Sequence, residues 1–208
     1  MKPLNLLPNL CALFLLTACS GNVTGLFGSQ FSGLKNAVDV SELPPMRVVG
    51  MVIEVPETLV VSEDNSYKPI ADIVWREDPF GNRYSQVKTI IENAVASGVS
   101  TMSGALPVVL HIQVTRFHAL TQRTRNSIGG VHEIHFLLTV TNKRTGEVMV
   151  PTYLVDSSLP GFGGTKAIEA ERIGLTQKIR ISAHLSSRIL QELTGVQPVA
   201  LAPSLQGE

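Results

Sequence analysis

The most distinctive chemistry in this sequence belongs to Cys19. It sits in LLTACSG, Leu15 to Gly21, and the only other cysteine of the 208 residues is Cys11. A thiol here could be half of a disulfide, a buried apolar side chain, a nucleophile or an attachment point. A Cys11–Cys19 bridge would close a tiny loop and restrain nothing beyond it. The flanks inform the choice. Lys2 supplies a minimal positive region, LCALFLL (Leu10–Leu16) is an unbroken apolar run, and small Thr17 and Ala18 precede Cys19. That is the layout of an export signal. The run is far short of the ~20 residues that span a bilayer. Pro8, with Asn5 and Asn9, makes it a poor buried helix.

The other reactive side chains form weaker patterns. His132 and His135 of HEIH are three apart, so on a strand they point to opposite faces and cannot chelate one metal together. His111 and His118, seven apart, are expected to diverge in the same way. GFGGTK (Gly161–Lys166) has glycines ahead of a helix, but it lacks the spacing of a phosphate-binding loop. A tight turn into the helix is the better reading. WREDP (Trp75–Pro79) places the only tryptophan beside three charges. Glu77 and Asp78 are adjacent, and adjacent carboxylates on an extended chain diverge rather than share a proton. Trp75 therefore reads as a packing anchor with Arg76 in a salt bridge, or as a partner contact if it is exposed. Arg116, Arg123 and Arg125 ahead of Gly129 and Gly130 make a basic loop that an anionic partner would suit. Trp75, Arg76, Arg123 and Arg125 are the candidate partner contacts. No G-x-S-x-G or clear Ser-His-Asp pattern is present, so neither a catalytic residue nor a metal ligand is assigned, and no cofactor is expected.

Positioning these residues falls to a small set of elements. Apolar residues are 44% of the chain, enough for a core, and charged residues are 16%, below the roughly 25% of an average globular chain. Seventeen basic and seventeen acidic residues cancel, and aromatics are few, which disfavours nucleic-acid binding. Gly, Ser and Pro-Pro punctuate residues 20–45 as a flexible tether. Within it, Phe27, Phe31, Leu34 and Val38 recur at helical spacing, an amphipathic turn that glycines weaken. MRVVGMVIEV (46–55) reads as a strand with Val48, Gly50, Val52 and Glu54 on one face and Val49, Met51, Ile53 and Val55 on the other; TLVV is a candidate continuation past Pro56. ADIVWRED (71–78) is a short strand or packed extended segment. Residues 83–102 read as a helix with Val87, Ile90, Ile91, Val95 and Met102 on one stripe. Residues 107–120 and VHEIHFLLTV alternate as strands, TQRTRNSIGG is a turn, TNKRTGE a hairpin with Gly146 left-handed, and Pro151 marks the next strand as an edge. Residues 165–193 form a helix with Gly174 as a kink, and the tail has no period. The expected fold is α+β: a single mixed sheet of about four strands (β-α-β-β-β-α) with two helices on one face.

Two resemblances add to this. LTAC resembles the lipobox of bacterial lipoproteins. It implies cleavage between Ala18 and Cys19, diacylation of the Cys19 sulfur, and acylation of its new amine. The chemistry suits a thiol, and each buried methylene adds ~0.8 kcal/mol of anchoring. By analogy with enterobacterial sorting, serine at position 20 favours the outer membrane. The implied organisation is a signal peptide at 1–18, lipidated cysteine and tether at 19–45, a globular domain at 46–195 and a disordered tail at 196–208. The mature chain then has no other thiol, which leaves no cysteine nucleophile or thiolate metal site. Separately, the blocks ADIVWREDPFGNRYSQV, RFHALT, GGVHEIHFLLTV and FGGTKAIEAERIGLTQKIRISAHL resemble an uncharacterised family of bacterial lipoproteins, a domain of unknown function, over about Val48 to Leu193. No activity transfers with it. The layout is also similar to auxiliary lipoproteins of ABC-type lipid transport and to lipoprotein activators of cell-wall synthases, on architecture alone.

The expectation is a non-enzymatic envelope lipoprotein held to the periplasmic face of the outer membrane by its lipid and working through a protein partner. A small-ligand or lipid carrier using the uncovered sheet face is the alternative; a pocket around Val109 and Leu137 would favour it. A convergent polar cluster at His111, His118 or His135 would point to an enzyme.

Overall fold

The computed structural model describes residues 39–195. Ala18, Cys19, the stretch from Phe27 to Val38 and the expected tail at 196–208 lie outside the described residues. Of the expected tether, Asp39 onward belongs to the fold: a 3-10 turn at Val40–Glu42 is capped by the Asp39 carboxylate, and Val40 and Leu43 pack against the core.

Among the described residues the architecture is one mixed sheet of six strands with four helices, α+β as expected but with more elements than the four strands and two helices read from the sequence. The backbone order is β1 (Met46–Glu54), β3 (Leu106–His118), β4 (Gly130–Asn142) and β5 (Val148–Asp156). β1 and β3 run parallel, joined through helix α1 (Arg83–Val99), and β3, β4 and β5 form an antiparallel meander. The two extra strands are short. β2 (Ile73–Val74) pairs with the end of β3, and β6 (Leu159–Gly161) pairs with the start of β4. Each has a physical reason. β3 and β4 are 13 residues long and outrun their nine-residue edge partners. β2 and β6 give the overhanging backbone groups hydrogen-bond partners that they would otherwise lack.

One sheet face is the core. Val108, Leu110, Ile112 and Val114 of β3 meet Ile134, Phe136, Leu138 and Val140 of β4, all essentially fully buried. Helices α1 and α4 (Gln177–Thr194) cover this face. Val87, Ile90, Ile91 and Val95 supply the α1 stripe, and Ile181, Leu185, Ile189 and Leu193 the α4 stripe. Asn82 caps α1 by accepting from the Ser85 N–H at 3.0 Å. The other helices are short: α2 (Gln122–Arg125) is a single turn in the segment expected to be a plain turn, and α3 (Gly164–Arg172) opens from the GFGG turn. The expected kink at Gly174 is a complete break. Its φ of +82° reverses the chain, and Thr176 starts α4 afresh as N-cap.

Two bulges overturn expected face assignments. The β1–β3 register slips at Val49, so Val48 lies beside Val108 but Met51 and Ile53 lie beside Leu110 and Ile112. Val48 and Ile53, expected on opposite faces, thus share the core side, whereas Val52 and Glu54 join His111 and Gln113 on the open side. The register of β3 with β4 slips again at Thr115. An extra residue inverts the alternation beyond it, and Phe117 rather than Arg116 enters the core. Nor does TLVV extend β1. The chain turns after Pro56, and Val61 bridges Ile73 in parallel. The hairpin at Gly146, with φ of +74°, and the edge position of Pro151-bearing β5 are as expected.

Candidate functional site

Loops gather at the end of the sheet where β3 finishes and β4 begins. They are residues 55–82, the α2 segment, and the connections around β6 and between α3 and α4. The chain enters the fold at the other end, where Met46 pairs with Leu106 and Val40 approaches Gly195 after α4. Thirteen residues of β3 separate the two ends, about 40 Å at strand rise.

The WREDP segment is a joint at this loop end, and each residue in it has a defined partner. Trp75 is 0% exposed and its ring meets Phe117 edge-on at 5.7 Å. Its Nε1–H donates to Asp78 Oδ2 at 2.8 Å. A fully buried indole offers nothing to another protein, so the partner-contact reading of Trp75 is replaced by the packing one. Arg76 donates from Nε to Gln122 Oε1 at 2.6 Å and from Nη1 to the Glu63 carbonyl. Glu77 accepts the Lys178 backbone N–H at 3.1 and 3.0 Å and so caps α4 from 101 positions away. Asp78 accepts from the same lysine's Nζ at 2.7 Å. The adjacent carboxylates therefore converge on one residue, but on different donors.

Arg83 completes the joint. Only 5% exposed, it makes a two-pronged pair with Glu63, Nε to Oε1 at 2.6 Å and Nη2 to Oε2 at 3.0 Å. Hydrogen bonding from Arg83, with the charges of Arg83 and Arg76, holds the Glu63 carboxyl below its ordinary value against a smaller opposing effect of burial. For Asp78, burial is the largest influence and pushes upward; the bonds from Lys178 and Trp75, with the charges of Lys178 and Arg83, outweigh it and leave the net shift downward. Above these pairs lies an open groove of about 480 Å³ walled by Arg76, Asp78, Arg83 and Phe80. Phe80 is 85% exposed, with the Arg83 guanidinium 5.8 Å from its ring centre. Its place within the WREDPFGNRY block was the available signal, and an aromatic following a proline in a polar loop is the kind of residue that signal should have raised.

The expected basic loop does not form one patch. Arg123 and Arg125 are two apart on α2, about 200° around the helix. Arg123 stacks on the Tyr67 ring at 4.4 Å, and Arg125 turns the other way to pair with Glu171 of α3. Arg116 pairs with Glu133 at 2.7 Å, which also takes Lys68.

The histidines separate partly as expected. His132 is buried and His135 half-exposed on the opposite face. The bulge at Thr115, however, puts His118 on the same side as His111, where its Nε2 lies 3.0 Å from the Pro69 carbonyl under the 62–72 segment. His135 does meet a serine and an aspartate. Its Nε2 is 3.3 Å from Ser158 Oγ and 3.4 Å from Asp156 Oδ1. A proton relay needs the hydroxyl and carboxylate on different ring nitrogens; here both address the same one, so the trio lacks relay geometry. Among the described residues, no group of three or more His, Cys, Asp or Glu could hold a metal ion, and no helix is long and apolar enough to cross a membrane.

The sheet face away from the helices carries a shallow groove of about 220 Å³. Its lining mixes Val52 and Leu137 with Glu54, His111, Gln113, Thr139 and Thr152. Thr139 and Thr152 bond to each other at 2.6 Å, and His111 reaches Thr141 at 3.1 Å. It is not the enclosed apolar pocket around Leu137 that a lipid carrier would need.

Residues 46–204 match the model of a family described as "Family of unknown function (DUF6778)". No curated protein matches the chain. Solved structures that are loosely similar include the following three. A protein assigned as a candidate lipoprotein of Caulobacter crescentus CB15 has 15% identity and a TM-score of 0.32, covering 52% of this chain and 80% of that one. An uncharacterised protein has 15% identity and a TM-score of 0.39, over 74% and 95%. A Xanthomonas campestris protein of family DUF330 has 12% identity and a TM-score of 0.37, over 73% and 82%.

Proposed function

As the chain belongs to DUF6778, a family of unknown function, we propose that it is a lipid-anchored envelope lipoprotein with a non-enzymatic, accessory role, and that its loop end contacts a protein partner. The observation that carries the reading is Cys19 in LTAC, directly after an apolar run too short to span a bilayer. Only a thiol in that place gives the thioether on which such an anchor depends. Serine at position 20 supports the periplasmic face of the outer membrane as its address. The fold supports the division of labour. The chain leads from Cys19 into the fold at residue 39, at the end of β3 opposite the groove and Phe80, about 40 Å along that strand. An exposed aromatic over a charged groove is the kind of feature that partner contacts use. The shallow, partly polar open face favours this over the carrier reading.

Two measurements test it. Cys19→Ala should abolish labelling by radioactive palmitate and shift the protein from the membrane to the soluble fraction; unchanged labelling would sink the anchor. A photocrosslinking residue at Phe80 should capture one defined envelope protein, and a residue placed at Val40 should not. Equal capture at both positions, or none at Phe80, would remove the loop end from the account.

A further inference from the structure

A second, smaller site lies behind the joint, between β4, α3 and α4, and does not depend on the envelope reading. Its floor is His132, 1% exposed. The ring Nδ1 accepts the Leu120 backbone N–H at 3.3 Å, so the proton of the neutral ring sits on Nε2. Burial, with the charges of Arg180 and Arg125, pushes His132 down to about 3, so the ring is neutral near pH 7. Its Nε2–H lies buried without an acceptor, and the buried Gln177 Oε1 has no donor. Both residues line a cavity of about 10 Å³, room for one water-sized group.

The mouth is cationic. The Arg180 guanidinium lies 3.4 Å over the Phe162 ring and donates to the Pro160 carbonyl at 2.7 Å; the Lys166 ammonium is 4.6 Å from the same ring. Among the described residues neither cation has a carboxylate partner, whereas Arg125 on the cavity wall is already paired with Glu171. An orphan donor at the floor and unpaired positive charge at the mouth ask for the same occupant. Turning the Gln177 amide over would add its NH2 as a further donor.

We propose that this is an oxyanion site: one oxygen of a carboxylate or phosphate seats on His132 Nε2–H, and the rest of the group lies at the mouth beside Arg180 and Lys166. A free anion and an anionic lipid headgroup present the same chemistry.

The test uses the full chain carrying Cys19→Ala and labelled with ¹⁵N-histidine. The His132 Nε2–Hε2 signal is followed near pH 7 during titration with sodium phosphate and with sodium acetate at constant ionic strength, chloride serving as the balancing salt. A saturable shift is expected, at least tenfold weaker in Arg180→Gln and in Lys166→Gln. Sedimentation with phosphatidylglycerol against phosphatidylcholine vesicles separates the sources. Binding to the former alone, displaced by phosphate, assigns a headgroup; no vesicle binding with the shift retained assigns a soluble oxyanion. A signal that reports only water cross-relaxation and ignores both anions would overturn the proposal, as would a shift unchanged in both variants.

Discussion

Gly98 of α1 lies directly against the backbone of α4, and Gly98→Ala puts a single methyl into that contact. A Cβ built at Gly98 falls 2.5 Å from the Ser186 carbonyl oxygen and 3.2 Å and 3.3 Å from Ser186 C and Cα. The obstacle is backbone, which cannot rotate away as a side chain could. The helices must part by about 0.9 Å to reach ordinary contact, and Ile91, Val95, Leu185 and Ile189, all fully buried, lose dispersion contacts as they do. Overpacking of this kind costs about 1–3 kcal/mol. Alanine returns about 1 kcal/mol of helix propensity. Since rigid backbone puts the cost in the upper half of its range, the net loss is about 1–2 kcal/mol, or roughly 2–8 °C in Tm for a domain of this size. Urea unfolding followed by circular dichroism measures it, with an unchanged slope showing that the unfolded state is unaffected. A variant as stable as the parent, or more so, would refute the close backbone approach, because propensity alone would then be acting.

Other outcomes follow from the same contacts. Glu77→Gln keeps an acceptor near the Lys178 N–H but removes the charge at the α4 N-terminus, and should cost about 1 kcal/mol in chemical denaturation; a neutral result would end its role as a remote cap. Trp75 is the only tryptophan, so folded-state fluorescence should resist quenching by acrylamide, and Trp75→Ala should cost about 3–5 kcal/mol; ready quenching would contradict its burial. His132 has its folded value near 3 against 6.5 in the unfolded chain. The unfolded state therefore binds the extra proton between those values, and the stabilisation is complete above about 6.5 and is lost as pH falls toward 3. It is worth on the order of 4–5 kcal/mol. His132→Asn, which keeps an acceptor for Leu120, should flatten that part of the stability–pH curve; an unchanged slope would assign the acid sensitivity to other groups.

Local rules were readable where the interaction is local. Gly146 demanded a left-handed turn and has one; Pro151 cannot donate within a sheet and lies in an edge strand; the α1 and α4 stripes are continuous in sequence and bury as stripes. Of the two short strands, β2 forms inside ADIVWRED, which reads as a short strand or packed extended segment, whereas the three residues of β6 have no periodicity to detect; both exist because β3 and β4 outrun their neighbours. The candidate site was only partly legible. Phe80 and the WREDP charges are contiguous in sequence, but the partners of those charges at Glu63, Gln122 and Lys178 are not.

Sequence by itself determined the α+β class and the stripes that make the core, and it alone carries the attachment chemistry proposed for Cys19, because each depends on residue type and near-neighbour spacing. Tertiary structure decided which faces those residues occupy. One extra residue at Val49 and another at Thr115 invert the alternation of a strand, and a bulge is a property of two strands in register rather than of either one. It also decided that Trp75 is core, that Glu77 caps a helix a hundred positions on, and that His132 and Gln177 line a small cavity beside Arg180. Those outcomes turn on burial and on partners distant in sequence, which exist only once the chain has closed on itself.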